Sequence, residues 1–394
     1  MSQELEEVSE NSVWFTACAA AQHETFASLA PDTSGTTIRA SLPSGLSGEA
    51  FRIVLAERYG ERTIRYDNIT CAVNGEYLRV RFNGETSVSI EARSTVYSDM
   101  LRLPIRSGDN VDLWLHNDTE TSSTSCCLIG QTHSDCGDFC GEDFVPKISK
   151  ETMPNGDVVE EKLVSVVGLQ VRAPADAEKS TIVAFGDSIT KMGYWVTPLR
   201  EKIRLANKEY ALVNCGIGGN RLLYDTHFPV APQMQMFGLS GLARMKWDLL
   251  DLPGVKLTLL ALGINDISQP RPGSMNPPVE ERCTTEELIA GYRQFISRAK
   301  EAGIKVIGCT ITPFGGYESF SEETEAIRVA ANKWILESGE FDGIIDFASA
   351  ICDSTNPAFM AKEFDSGDHL HPGEQGGNAM AEAVDLEELL LLAR

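Results

Sequence analysis

Long apolar runs and positive charge are both scarce in this sequence of 394 residues. No apolar run approaches the roughly 18 residues that a membrane-spanning helix requires. Lys and Arg together number 34 against 57 Asp and Glu, which gives a formal net charge of −23. A surface this acidic repels nucleic acids and anionic lipid headgroups, so we expect neither as a partner. The same charge is compatible with a neutral ester or sugar.

The N-terminus also lacks the features of a secretory leader. It reads MSQELEEVSENSVWFTACAAA, with acidic residues where a signal peptide carries basic ones and with a short apolar patch after them. We therefore expect a cytoplasmic protein, although a secreted chain whose signal had been removed would show the same pattern.

Ten cysteines are present, and six of them stand singly along the chain. The exception is the stretch CCLIGQTHSDCGDFC, which contains Cys126, Cys127, His133, Cys136 and Cys140. The spacing from Cys136 to Cys140 falls within the range of zinc sites, but no second well-spaced pair follows it. We expect a loop of reduced thiols, with a metal site or disulfides as the alternatives, and we expect no cofactor.

The first half of the chain has the pattern of an antiparallel β protein. From about Ser12 to Val171, short segments such as FRIVLAERYG and VDLWLHN are separated by breaks that contain Gly, Asn or Asp. Helical periodicity is nearly absent. This pattern predicts a β-sandwich or jelly-roll-like domain, which we place at residues 1–172.

After the segment APADAEKS, apolar strands alternate with amphipathic helices. This alternation predicts a parallel sheet between helices, in a second domain at residues 179–394. Thr284 and Glu287 fit a capping box at the start of a long helix, and Gly303 fits its end. The stretch EQGGNAMAEAVDLEELLLL predicts one final helix. The predicted strands are Thr181–Phe185, Tyr210–Asn214, Val255–Leu262, Ile304–Ile311 and Gly343–Phe347.

Polar and glycine-rich segments follow the first three of these strands, at the edge where parallel sheets bind ligands. They are FGDSIT, with Ser188, then NCGIGGNR and ALGINDIS. Each segment alone is also typical of a simple turn. Ser188 is not framed by Gly-x-Ser-x-Gly, which disfavours an α/β-hydrolase elbow. Arg221 stands where a dinucleotide-binding fingerprint has Gly or Ala, which disfavours nicotinamide binding.

The segment DSGDHLHPGEQ contains two of the six histidines. His371 follows Asp368 by three residues, so one loop could carry a base and the carboxylate that orients it. His369 is the competing histidine, but the side chain of its neighbour Asp368 would point away from it. Simple surface exposure is the alternative for either ring.

Together, the blocks FGDSIT, GIGGNR, GIND and DHLHP resemble the SGNH hydrolases, the GDSL-type esterase and lipase superfamily, over about residues 179–394. The chain is similar in particular to the bacterial subgroup in which a β-rich domain precedes the hydrolase domain. The resemblance implies an α/β fold with a three-layer α/β/α, flavodoxin-like parallel sheet.

The resemblance also implies roles for individual residues. Ser188 would be the nucleophile, His371 the general base and Asp368 the carboxylate that orients it. Ser188, Gly219 and Asn265 would supply the oxyanion-hole donors, and the reaction needs no metal.

Four further residues near these blocks are candidates for the wall of the pocket, with plain packing as the alternative. They are Asp187, Asn220, Arg221 and Asp225. We expect a serine esterase that hydrolyses short acyl esters, with acetylated carbohydrate as the first substrate class to consider. The alternatives are a lipid esterase, lysophospholipase or thioesterase of the same superfamily, or a carbohydrate-binding or scaffold protein whose hydrolase half is inactive.

Overall fold

The computed structural model describes residues 11–24, 34–118, 125–126, 131–145, 150–152, 158–160, 165–206, 208–226, 228–229, 235–273 and 276–394. The chain divides into two compact units, Met1–Glu178 and Lys179–Arg394. The boundary between them lies within the APADAEKS segment.

The first unit is built from antiparallel strands. A four-stranded sheet has the order β1-β15-β4-β9, and a five-stranded sheet has the order β12-β3-β10-β6-β7. Three strand pairs complete the unit: β5 with β8, β2 with β11, and β13 with β14. The strands are β1 (Ser12–Ala19), β2 (His23–Glu24), β3 (Thr36–Pro43), β4 (Ala50–Glu57), β5 (Ile64–Tyr66), β6 (Asn68–Val73), β7 (Glu76–Arg79), β8 (Val88–Ile90), β9 (Ser94–Tyr97), β10 (Asn110–His116), β11 (Ser125–Cys126), β12 (Gln131–Cys136), β13 (Lys150–Thr152), β14 (Val158–Glu160) and β15 (Val166–Pro174).

The core of the first unit lies between its two larger sheets. Strands β1 and β15 of one sheet contact β3 of the other. Phe15 of β1, Leu42 of β3, Leu113 of β10 and Val171 of β15 are buried. The central strand β15 is buried along most of its length, and the predicted β-rich architecture is confirmed.

The second unit contains one parallel sheet of five strands. They are β16 (Ser180–Gly186), β17 (Tyr210–Gly216), β18 (Val255–Ala261), β19 (Lys305–Cys309) and β20 (Gly343–Ile345). Their order in the sheet is β17-β16-β18-β19-β20. This is the flavodoxin-like order, in which the chain reverses direction across the sheet beside its first strand. The predicted α/β fold is confirmed.

Helices cover both faces of this sheet. They are α1 (Ser188–Lys191), α2 (Val196–Leu205), α3 (Gly241–Met245), α4 (Ile264–Ser268), α5 (Thr285–Glu301), α6 (Glu322–Glu337), α7 (Phe347–Ile351), α8 (Glu374–Glu382) and α9 (Leu386–Leu392), with a π-helical turn at Lys246–Leu250 and a 3-10 turn at Val279–Glu281. Helix α8 contacts α2 and α7, while α5 contacts α3 and α6. Every residue of β16 is buried, as expected for a strand covered on both sides.

Two predicted boundaries differ from the structure because of helix caps. The fifth strand ends at Ile345, since the side chain of Asp346 accepts a hydrogen bond from Ser349 N and begins α7. The stretch predicted as one final helix forms two helices, because Asp385 caps the second of them through Glu387 N and Glu388 N. The capping box of Thr284 and Glu287 is confirmed.

The cysteine-rich stretch is described in part. Cys136 is exposed and Cys140 is half-buried, and both are free thiols. Cys127 and the side chains of Cys126 and His133 lie outside the described residues. Within the described ranges, no group of three or more His, Cys, Asp or Glu side chains is placed to hold a metal ion. In the same ranges, no helix is long and apolar enough to cross a membrane.

The Thr284 cap gives a direct test of the second unit. Replacing Thr284 by Ala removes the acceptor for Glu287 N, 3.2 Å away. We expect the free energy of unfolding to fall by about 1 kcal/mol, measured by urea denaturation. Ser297→Ala, at an exposed position within the same helix, is the control and should leave the unfolding midpoint nearly unchanged. An equal loss in both variants would contradict the role of the cap.

Candidate active site

Three parallel strands of the second unit end side by side. Gly186, the last residue of β16, pairs with Gly216 of β17 and with Ala261 of β18. The loops after these strands therefore start at the same level of one sheet edge. These loops contain the serine, the glycine turn and the asparagine that the sequence analysis selects.

Close packing at this edge requires glycine. A Cβ atom on Gly216 would lie 2.4 Å from Lys191 N and 2.9 Å from Asp187 O, so α1 sits directly on the end of β17. Gly219 has a φ of +69°, and a Cβ there would lie 2.5 Å from Cγ of Phe237. A larger residue at Gly219 would be both strained and obstructed.

Asp187 sets the position of Ser188. Its carboxylate caps α1 by accepting a hydrogen bond from Ile189 N at 3.0 Å. Ser188 is thus the first helical residue, and its own N–H has no partner within the helix. The Ser188 hydroxyl lies 2.8 Å from Nε2 of His371. The structure therefore brings together two residues that are 183 positions apart in the chain.

The loop before α8 orients the His371 ring. Nδ1 of His371 lies 2.6 Å from Oδ2 of Asp368, whose other oxygen accepts hydrogen bonds from the backbone N–H groups of Leu370 and His371. Partial burial acts to raise the pKa of Asp368, but the hydrogen bonds from His371 and Leu370 outweigh it and lower the pKa to about 2. The carboxylate is ionised at neutral pH and can hold the Nδ1–H tautomer. The competing His369 pairs instead with Asp365, at 2.6 Å.

Two hydrogen-bond donors flank the serine loop. The Asn265 side chain is buried, and its Nδ2 donates to Asn220 O at 3.1 Å, which leaves the second N–H of that amide for another acceptor. The Gly219 N–H donates to no acceptor within the ranges that the structure describes. The Gln269 amide bonds both Gly219 O, at 2.8 Å, and Asn265 Oδ1, at 3.2 Å. It joins the two donor loops, and no motif in the sequence points to it.

Arg244 is a second residue that sequence reasoning missed. Its side chain is fully buried and donates to Gly186 O, Cys215 O, Asn220 Oδ1 and Asp248 Oδ2, at 2.8–3.0 Å. The guanidinium also lies 3.8 Å from the centre of the Phe185 ring. It holds the ends of β16 and β17 and the glycine turn in one arrangement. A lone arginine on a short helix carries no sequence signal for this role.

The four predicted pocket residues all contact protein groups. Asn220 is buried, with its Nδ2 on Phe237 O and Leu239 O. The buried Arg221 forms an ion pair with Glu281 at 2.7 Å and donates to Asp225 O. Asp225 accepts from Ser240 N, 2.7 Å away. Asp187 lines a cavity of about 20 Å³, whose other walls are Ile189, Ala261, Leu262, Ile264, Cys309, Thr310, Ile311, Thr312, Phe347 and Met380.

Burial gives Asp187 an unusual titration. It raises the pKa of this carboxyl to about 7, although the Ile189 N–H and the charge of His371 oppose the change. The unfolded chain ionises near the ordinary value of 3.8. The folded state therefore binds more protons between these values, and the contribution of Asp187 to stability falls as the pH rises from about 4 to about 7.

Asp187→Asn replaces the carboxyl by an amide that cannot ionise. The variant should therefore not lose stability through this position as the pH rises. We expect the stability of the variant relative to the wild type to increase with pH across that interval, in urea titrations at several pH values. Asp353→Asn is the control, since hydrogen bonds from Thr355 and Asn356 lower the pKa of Asp353 from its ordinary value of 3.8. Its stability relative to the wild type should change only below about pH 4 and stay constant from there to pH 7. A pH-independent difference for Asp187→Asn would contradict the raised pKa.

Several solved structures match about half of this chain. An acetyl xylan esterase, AlAXEase, is 20% identical with a TM-score of 0.38, over 52% of this chain and 96% of that one. Axe2, an acetylxylan esterase from Geobacillus stearothermophilus, is 19% identical with a TM-score of 0.39, over 54% and 95% of the two chains. TesA is 17% identical with a TM-score of 0.39, over 54% and 99%. No curated protein is similar enough to this chain to count as a relative.

The family model for GDSL-like lipase/acylhydrolase matches residues 182–384, just over half of the chain. This range includes the serine loop, the glycine turn, the asparagine loop and the Asp-x-x-His loop. The chain therefore belongs to the GDSL-like lipase/acylhydrolase family, and the resemblance to esterases of this type is confirmed.

Proposed function

We propose that this protein is a serine esterase that removes a short acyl group, such as acetyl, from a small or carbohydrate alcohol through an acyl-enzyme. The observation that carries the proposal is the continuous chain of short contacts from Ser188 Oγ to His371 Nε2 and from His371 Nδ1 to Asp368. A serine hydroxyl is a weak nucleophile until a neighbouring base takes its proton, and in this proposal His371 is that base.

The first half of the reaction forms the acyl-enzyme. Ser188 Oγ attacks the ester carbonyl carbon while His371 Nε2 accepts the hydroxyl proton. Asp368 stabilises the imidazolium that results. The negative charge on the carbonyl oxygen is met by the N–H groups of Ser188 and Gly219 and by the Asn265 amide. When the intermediate collapses, the alcohol leaves with the proton from His371.

The second half restores the enzyme by the same groups. Water gives a proton to His371 and attacks the acyl carbon, and the carboxylic acid leaves as Ser188 recovers its proton. His371 accepts and then donates the proton in both halves of the reaction. Its ring must therefore be neutral when each half begins.

The short acyl group is the part of the proposal that chain length tests. The cavity of about 20 Å³ next to the serine loop is lined by Asp187 and Ile189 but not by Ser188 or His371, so it is not assigned as the acyl site.

Hydrolysis of p-nitrophenyl esters from acetate to laurate tests the proposal. We expect activity to be greatest on acetate and to fall with chain length. Ser188→Ala should lower kcat/KM by at least about 10³-fold, and Asn265→Ala by about 10²–10³-fold, because one oxyanion donor is lost. Ser297→Ala, an exposed serine within α5, is the matched control and should retain full activity.

A covalent label gives an independent readout. A fluorophosphonate should add to Ser188 in the wild type, and peptide mass analysis would locate it there. Greatest activity on laurate would instead favour a lipid esterase. Equal rates in the wild type and Ser188→Ala, or labelling at another residue, would refute Ser188 as the nucleophile. Absence of both labelling and activity would favour a binding protein with an inactive hydrolase half.

A further inference from the structure

His369 has a backbone conformation that its residue type rarely adopts. Its φ is +64°, and among the described residues of the second unit it is the one non-glycine residue with a left-handed φ. Glycine adopts this region without strain, whereas a residue with a Cβ does not. Strained backbone of this kind is concentrated at binding and catalytic sites.

The surrounding contacts hold His369 in this conformation. Asp365 accepts hydrogen bonds from the His369 backbone N–H at 3.0 Å and pairs with its Nδ1 at 2.6 Å. On the other side, a Cβ atom on Gly316 would lie 3.1 Å from the His369 ring, so the imidazole packs against this loop. The ring is fixed by two neighbours, yet 53% of the side chain is exposed.

The ring also lies at the edge of the sheet where the substrate is expected. His369 precedes His371 by two residues, a separation that spans at most about 7 Å of chain. Gly316 belongs to the loop that follows β19, at the carboxyl edge of the sheet. The imidazole therefore borders the reaction centre without contacting Ser188.

The Asp365 contact determines what the exposed nitrogen can do. A carboxylate at Nδ1 favours the Nδ1–H tautomer, which leaves Nε2 as an acceptor in the neutral ring. Nε2 of His369 has no hydrogen-bond partner among the described residues. A hydroxyl group beside the ester oxygen of a substrate is the kind of donor that would satisfy it.

We propose that His369 is a specificity-determining residue that accepts a hydrogen bond from a hydroxyl group in the alcohol half of the substrate, and that the preferred substrates are esters of polyhydroxylated alcohols such as sugars. This inference rests on the esterase function proposed above. It also explains why position 369 carries a histidine rather than glycine, although its backbone is left-handed.

Two small esters that differ by one hydroxyl group provide the test. They are 2-hydroxyethyl acetate and ethyl acetate, and p-nitrophenyl acetate serves as a third substrate without a hydroxyl. In His369→Gly, kcat/KM for 2-hydroxyethyl acetate should fall about threefold to tenfold, mainly through KM, as expected for one neutral hydrogen bond. The values for the two other esters should stay within about twofold.

The Tm of His369→Gly distinguishes a role in substrate specificity from a role in holding the fold. Glycine relieves the left-handed strain, so Tm should not fall in His369→Gly even though the Asp365 contact is lost. Arg93→Gly is the matched control, because Arg93 is exposed, has a φ of +59° and lies in the first unit. It should change neither substrate preference nor activity.

The outcomes distinguish the two proposals. If the wild type hydrolyses the esters but His369→Gly loses activity equally on all three, or on none of them, the specificity role is wrong and the esterase function stands. A wild type that hydrolyses none of the three overturns the esterase function, and the role of His369 with it.

Discussion

Arg244 is a buried cation whose hydrogen bonds join the ends of the two strands that lead to Ser188 and Gly219. It donates to the carbonyl oxygens of Gly186 and Cys215, which adjoin the turns after β16 and β17. Removing a guanidinium from water is costly, and it is tolerated where every donor direction is matched and a carboxylate is near. Asp248, 3.0 Å away, supplies that charge. The proposed oxyanion donors thus depend on an ion pair that lies beneath them.

This arrangement also explains why small residues end the strands. Arg244 can reach both carbonyls because β16 and β17 end in register, with Gly186 opposite Gly216. A side chain at either glycine would push α1 away from the sheet, since the nearest atoms lie at 2.0–2.9 Å from the added Cβ. The geometry of the proposed active site is therefore set by backbone packing, and the polar side chains complete it.

Much of this could be predicted from the sequence, because the signals are local. The alternation of strands and helices predicts the parallel sheet, and the carboxyl ends of its strands identify the loops of interest. The spacing from Asp368 to His371 predicts one loop that carries both groups, and the structure places them 2.6 Å apart.

What the sequence could not predict depends on contacts between distant segments. Arg244 and Gln269 act on residues 24–58 and 50 positions away, respectively, and neither belongs to a recognisable pattern. The sequence also does not predict the pairing of His369 with Asp365. Asp365 can reach over Asp368 because the backbone turns back through Gly367 and a left-handed His369, and side-chain spacing alone does not reveal such a turn. The fifth strand is shorter than predicted, because the cap at Asp346 ends it although Phe347 continues the apolar run.

Three aspartates near the proposed site show how environment divides roles among identical side chains. Asp187 and Asp266 are fully buried, and burial raises the pKa of the first to about 7 and of the second to about 6. Both bind backbone N–H groups and hold loops, a task that a neutral or a charged carboxyl can perform. Asp368 is more exposed and bound by His371, so its pKa falls to about 2. It alone of the three stays fully ionised across the neutral range, which is the property that an orienting partner of a catalytic imidazole needs.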